Sequence, residues 1–117
     1  MKKILIIEDD QIVANIYRGK FASEGYDVQI AEDGCAGLES VQSFRPDAVI
    51  LDLIMPNLSG LETLHRIRQL RKDTPVVLSS GFDQYSIADK CRGLKNVSFI
   101  TKPYDKQKLI EELDRFC

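Results

Sequence analysis

The stretch Ala48-Val49-Ile50-Leu51-Asp52 decides how the chain must fold. Its first four residues are all apolar and include two β-branched side chains, so the run has no polar face and reads as a strand buried on both sides. A carboxylate follows the strand without a break. Asp52 opens a loop reaching Gly60, marked by Pro56, Asn57 and Gly60 itself.

Working outward, the same kind of segment recurs on either side. Ile4–Ile7 is another uninterrupted apolar run, Asp27–Ala31 reads as a strand, Pro75 opens a strand over Val76–Ser79, and Val97–Ile100 reads as the last. Between them the periodicity changes from strand to helix. Val13, Ile16, Tyr17 and Phe21 recur at helical spacing, with Gly25 as a stop signal. Gly34–Phe44 is a helix with Leu38 and Val41 inward, ending before Pro46. Leu61, Leu64, Ile67 and Leu70 line one face of a third helix. A polar fourth helix is expected over Gln84–Arg92, and a fifth over Lys106–Phe116 with Leu109, Ile110 and Leu113 inward. Strands apolar on both faces need helices on both sides, which means a parallel sheet. Right-handed crossovers then make an open, doubly wound α/β sheet the simplest arrangement. One domain spanning residues 1–117 is expected, without internal repeat, linker or second domain.

Composition restricts the function classes. With 16 basic and 18 acidic residues the net charge is −2, so no general attraction to nucleic acid or anionic membrane follows. The apolar run near the N-terminus is too short for a signal-peptide core or a membrane span. Cys35, Cys91 and Cys117 are widely spaced and odd in number, and read as free thiols of a reducing compartment. A cytoplasmic location is expected. The glycines form no G-x-G-x-x-G loop, so dinucleotide binding is unsupported.

In open α/β sheets ligands bind beyond the carboxyl ends of the strands. Those ends carry Glu8-Asp9-Asp10, Asp52, Ser79-Ser80-Gly81 and Thr101-Lys102-Pro103, all delivered to one edge. Carboxylates about 5 Å apart repel by roughly 3 kcal/mol at an effective dielectric of 20. Such a group binds a cation or raises a pKa. Oxygen donors with neither His nor Cys favour a hard ion, and few protein ligands favour Mg²⁺. Taken alone, Glu8 and Asp9 read equally well as solvated loop charges, and Asp10 as the N-cap of the first helix. A hydroxyl from Ser80 and an ammonium from Lys102 near Asp52 and Mg²⁺ would suit phosphoryl transfer, with Asp52 as nucleophile. Lys102 also has a plainer reading as a salt-bridge partner of Asp52.

The segments KILIIEDD (3–10), DAVILDLIMPNLSGLE (47–62), PVVLSSG (75–81) and FITKP (99–103), taken in order, resemble the receiver domain of two-component response regulators. The resemblance runs over the whole chain and implies a flavodoxin-like sheet of five parallel strands in the order 2-1-3-4-5. It implies that Asp52 is the phosphoacceptor. It assigns Mg²⁺ to Asp9, Glu8, Asp52 and the backbone carbonyl of Ile54, with Asp10 as the alternative member of the acidic pair. Lys102 and Ser80 become phosphoryl-binding groups, with Ser79 as second choice for the hydroxyl. Phe99 takes the place of the switch aromatic. Ile54 and Phe82 flank the path of the hydrolytic water, so two bulky apolar side chains there imply a long-lived phosphate.

The expected function is a switch that accepts a phosphoryl group from a histidine kinase or phosphotransfer protein. The phosphoryl group then changes the face formed by the fourth helix, fifth strand and fifth helix. It would be no enzyme beyond catalysing its own phosphorylation and dephosphorylation. Dimerisation through that face is one arrangement the resemblance allows, and the output partner or fused effector is not readable. Two other classes compete: a pseudo-receiver that only binds proteins, and an aspartate-dependent phosphohydrolase. The full set of Glu8, Asp9, Asp52, Ser80 and Lys102 argues against the first. Ile54, where such hydrolases carry a second acid, argues against the other. His65 reads as a surface histidine, and Arg66, Arg68, Arg71 and Lys72 as solvated charges at a helix C-terminus.

Overall fold

The computed structural model describes residues 2–52, 59–80, 96–101 and 111; for Ser80 and residues 99–101 it defines strand position only. The elements are β1 (Lys3–Ile7), α1 (Gln11–Ser23), β2 (Asp27–Ala31), α2 (Gly34–Phe44), β3 (Ala48–Asp52), α3 (Gly60–Leu70), β4 (Val76–Ser80) and β5 (Val97–Thr101). The expected fourth helix lies outside the described residues, as does the expected fifth apart from Glu111, which is helical. All strand pairs are parallel, in the order β2-β1-β3-β4-β5. This is the doubly wound order implied by the family resemblance.

Side-chain alternation divides the apolar strands between two layers. Leu5, Ile7, Val49, Leu51, Val76 and Leu78 pack with Val41 of α2 and with Leu64 and Ile67 of α3. Ile4, Ile6, Ala48, Ile50 and Val77 pack with Phe21 of α1. Each fully buried Leu, Ile or Phe contributes roughly 1.5–3 kcal/mol of transfer free energy, so the central strands anchor both layers. α2 lies tightly against the sheet at Gly37. A Cβ there would lie 2.5 Å from Cδ1 of Ile7 and 2.9 Å from its Cγ1.

Two helix faces depart from the expected stripe. In α1 the buried positions are Ala14 and Phe21, whereas Ile16 is 50% exposed and Ile12 75% exposed. At about 100° per residue, Ala14 and Phe21 fall in line while Ile16 points well away from both. In α3, Leu64 and Ile67 are buried, but Leu70 is exposed because it is rotated by about 120° from Leu64.

The basic run at the end of α3 also differs from a set of solvated charges. Arg68 is half-buried. It donates through Nη2 to the Asn96 carbonyl at 3.0 Å and through Nη1 to the Arg71 carbonyl at 3.3 Å. The same Asn96 carbonyl accepts from the Val76 amide at 3.0 Å, and Asn96 Nδ2 donates to the Asp73 carbonyl at 2.9 Å. Asn96 has φ +56°, a left-handed conformation that asparagine tolerates better than most residues. Burial lowers the pKa of the Arg68 guanidinium, and Asp73 acts in the opposite direction. The group still stays protonated. These contacts tie the C-terminus of α3 to the amino ends of β4 and β5.

Candidate functional site

The acidic residues after β1 serve different purposes. The Glu8 amide donates to the Ala31 carbonyl at 3.0 Å, carrying the β1–β2 ladder one residue past the strand. Its backbone is thereby held in line with the sheet, and the residue is 5% exposed. Asp9 is exposed. Asp10 is the N-cap of α1: its Oδ1 accepts from the amides of Ile12 at 3.0 Å and Val13 at 3.3 Å. That oxygen satisfies two of the amides that a helix start leaves without intrahelical partners.

Asp52 is the last residue of β3, one position further into the strand than the loop boundary read from sequence. It stays in the sheet because it pairs in register with Ser79 of β4. Asp52 is 8% exposed. One carboxylate oxygen from each of Glu8, Asp9 and Asp52 can be chosen so that all three lie within 4.8 Å of one another. Asp10 is not part of this group.

The arrangement follows from strand register. Ile7 pairs with Leu51, so Glu8 comes beside Asp52. Glu8 extends the Ile4, Ile6 series, Asp52 the Ala48, Ile50 series, and Ser79 follows Val77. Glu8, Asp52 and Ser79 thus form a row across three neighbouring strands, on the face that carries α1. The row crosses the end of the sheet where the apolar alternation stops. Ser79 is 2% exposed, and its Oγ has no hydrogen-bond partner among the described residues.

Three carboxylates this close repel one another, a cost that a bound cation would offset. The donors are all oxygen, which suits a small hard ion such as Mg²⁺ better than zinc or copper. The residues present therefore fit the expected metal. Ser80 and Phe99 occupy β4 and β5, where Phe99 is in register with Leu78 and Ser80 with Thr101. Ile54, Phe82 and Lys102, assigned from sequence to the metal, the water path and the phosphoryl group, lie outside the described residues, as do Cys91 and Cys117. Cys35 is a free, exposed thiol, and His65 is exposed on α3.

The pairing of Asp52 with Ser79 is the feature that the linear sequence conveyed least. Both residues are visible there as strand ends, but their register across the sheet is not. Strand parity offered a partial signal, since each lies two residues after a β-branched apolar residue of the same layer.

Comparison with known proteins agrees with this architecture. Residues 4–114 match the family described as response regulator receiver domain. Response regulator ArlR of Staphylococcus saprophyticus is 37% identical over 115 residues, which cover 97% of this chain and 51% of that protein. Response regulator MprA of Mycolicibacterium vanbaalenii is 33% identical over 95% of this chain and 48% of its own length. The chain thus spans about half the length of the curated relatives it matches. Among solved structures, chemotaxis protein CheY4 of Vibrio cholerae superposes with a TM-score of 0.93 at 24% identity, covering 100% of this chain and 99% of that one, a likeness of fold. Response regulator TrrA of Thermotoga maritima, solved in complex with Mg²⁺-BeF, superposes with a TM-score of 0.88 at 28% identity over 100% of both chains.

Proposed function

Because the chain belongs to the response regulator receiver domain family, we propose that it is a phosphorylatable switch of a two-component system with Asp52 as its phosphoacceptor. The observation that carries this reading is the buried Asp52 at the sheet edge, with a carboxylate oxygen within 4.8 Å of those of Glu8 and Asp9. A nucleophilic carboxylate must be held in place and have the incoming negative charge offset. Strand pairing supplies the first condition, and the acidic cluster provides a seat for the cation that supplies the second.

Asp52 attacks the phosphorus of a phosphohistidine on a histidine kinase or phosphotransfer protein. The P–N bond breaks, its electron pair leaves with the imidazole nitrogen, and an acyl phosphate remains on Asp52. Glu8, Asp9 and Asp52 would hold Mg²⁺, joined by the Ile54 carbonyl. When bound, Mg²⁺ supplies positive charge to the phosphoryl oxygens. Lys102 adds an ammonium and Ser80 a hydroxyl donor to the same oxygens. Hydrolysis returns Asp52 to the free carboxylate, so the chain's only catalysis is on itself.

The output is a population shift, carried by Phe99 and the face formed by the fourth helix, β5 and the fifth helix. That face would meet an effector domain or a separate partner protein, or pair with a second copy. A cytoplasmic location fits a kinase partner of this kind, and among the described residues no helix is long and apolar enough to cross a membrane. The test is incubation with acetyl phosphate and Mg²⁺, read by intact mass. Wild type should gain one phosphoryl group and Asp52→Asn none. An unmodified wild type beside an active control protein would overturn the proposal.

A further inference from the structure

The row Glu8, Asp52, Ser79 has a carboxylate neighbour on one side of Asp52 and a hydroxyl on the other. Adjacent strands lie about 4.8 Å apart, so the Ser79 side chain is one strand spacing from Asp52 on the same face of the sheet. The layer beneath it is apolar, with Val77 and Ile50 as the preceding residues of the two series. Across β4, Ser79 is in register with Ile100, another apolar residue type. Ser79 is 2% exposed, and its Oγ has no hydrogen-bond partner among the described residues. A buried hydroxyl without an acceptor is destabilising, and an apolar side chain of similar size would avoid that cost. Asp52 is therefore the neighbouring group in the row at which further acceptors can arise.

We propose that Ser79 is a positioning residue for the phosphorylated state: its hydroxyl donates a hydrogen bond to an oxygen of the phosphorylated Asp52 side chain. This rests on Asp52 being the phosphoacceptor. Phosphorylation adds strong acceptor oxygens at that point of the row, and a hydrogen bond to a charged oxygen is shorter and stronger than one between neutral groups. With the free carboxylate, Ser79 Oγ has no partner among the described residues, so the hydroxyl favours the phosphorylated form by differential binding. Its role is separate from that of Ser80, the next residue along β4.

The test compares Ser79→Thr and Ser79→Val, nearly equal in volume but differing in the hydroxyl, with Ser79→Ala as a variant that adds no volume. Beryllofluoride affinity in the presence of Mg²⁺ and the decay of acetyl-phosphate-labelled protein are the readouts, and Mg²⁺ affinity alone checks the acidic cluster. Val and Ala should bind beryllofluoride roughly 3- to 10-fold more weakly and lose phosphate faster by a similar factor. Thr should stay close to wild type, with Mg²⁺ affinity unchanged throughout. If Val and Thr behave alike in a protein that labels normally, the Ser79 assignment alone is overturned. A Val variant that also loses Mg²⁺ affinity overturns it too, since the whole pocket would then be disturbed. If wild type neither labels nor binds beryllofluoride beside an active control, the phosphoacceptor reading falls and takes Ser79 with it.

Discussion

Gly37 of α2 packs against Ile7 of β1 with no room for a methyl group: a Cβ at position 37 would meet Ile7 Cδ1 at 2.5 Å. Two effects of opposite sign therefore compete in Gly37→Ala. Alanine gains roughly 1 kcal/mol of helix propensity over glycine. Overpacking a tight core costs typically 1–3 kcal/mol. Ile7 is buried at the end of a central strand and cannot move aside cheaply, so the packing term wins. Gly37→Ala should lower unfolding stability by about 1–2 kcal/mol in urea titration. The penalty should shrink when Ile7→Val removes the nearest atom, a coupling that a double-mutant cycle detects. A rise in the urea midpoint for the single variant would falsify this account.

Gly19 offers the contrasting case. It lies inside α1, and a Cβ there would meet nothing within 4 Å. Only the propensity term remains, so Gly19→Ala should stabilise by about 0.5–1 kcal/mol. The change is readable as a melting point higher by a few degrees. An unchanged or lower value would mean that the glycine has a role the helix geometry does not reveal.

The division of labour between Asp9 and Asp10 gives opposite phenotypes for neighbouring residues. Asp10→Ala removes the α1 cap and should cost about 1 kcal/mol of stability, with Mg²⁺ affinity little altered. Asp10→Asn should retain most of the cap. Asp9→Asn removes a carboxylate from the acidic cluster. It should weaken Mg²⁺ roughly tenfold or more, equivalent to about 1.4 kcal/mol, while leaving the unfolding midpoint near that of wild type. Calorimetric Mg²⁺ titration paired with urea unfolding separates the two, and equal Mg²⁺ losses at both positions would contradict the assignment.

Phosphate lifetime supplies a further prediction, from the residue types at positions 54 and 82. The family resemblance implies that these positions flank the path of the hydrolytic water, and an apolar pair there should shield the acyl phosphate. The double variant Ile54→Asn, Phe82→Glu should therefore hydrolyse it several-fold faster, by roughly 1 kcal/mol of barrier. Loss of label after rapid removal of acetyl phosphate measures this directly. If the variant retains phosphate as long as wild type, shielding is not what sets the lifetime.

Strands were legible because they are short apolar runs, and their parallel direction places the residues after them, Glu8 and Asp52 among them, at one edge. The cap of α1 was legible too: Asp10 stands where an N-cap belongs, and it is one. What could not be read was anything that depends on two segments meeting. Arg68 looked like a solvated charge because its partner, the Asn96 carbonyl, is 28 residues away in sequence. Ile16 looked inward because helical spacing alone leaves the orientation of a stripe open, and only contact with the sheet selects Ala14 and Phe21. The choice between Asp9 and Asp10 turned on which of them the helix backbone claims. Local spacing does not decide that, because both stand before the first helical turn.

The Arg68–Asn96 junction has a mechanical consequence. Because one carbonyl receives both the Val76 amide and the Arg68 guanidinium, the amino ends of β4 and β5 and the tail of α3 share a single rivet. This rivet sits at the opposite end of those strands from Asp52 and Ser79. β4 is also laddered to β3 and β5 along its length, so the junction gives a fixed base to a strand whose register is already set on both sides. The pairing of Asp52 with Ser79 is therefore held from the amino ends of the strands as well as along their ladders.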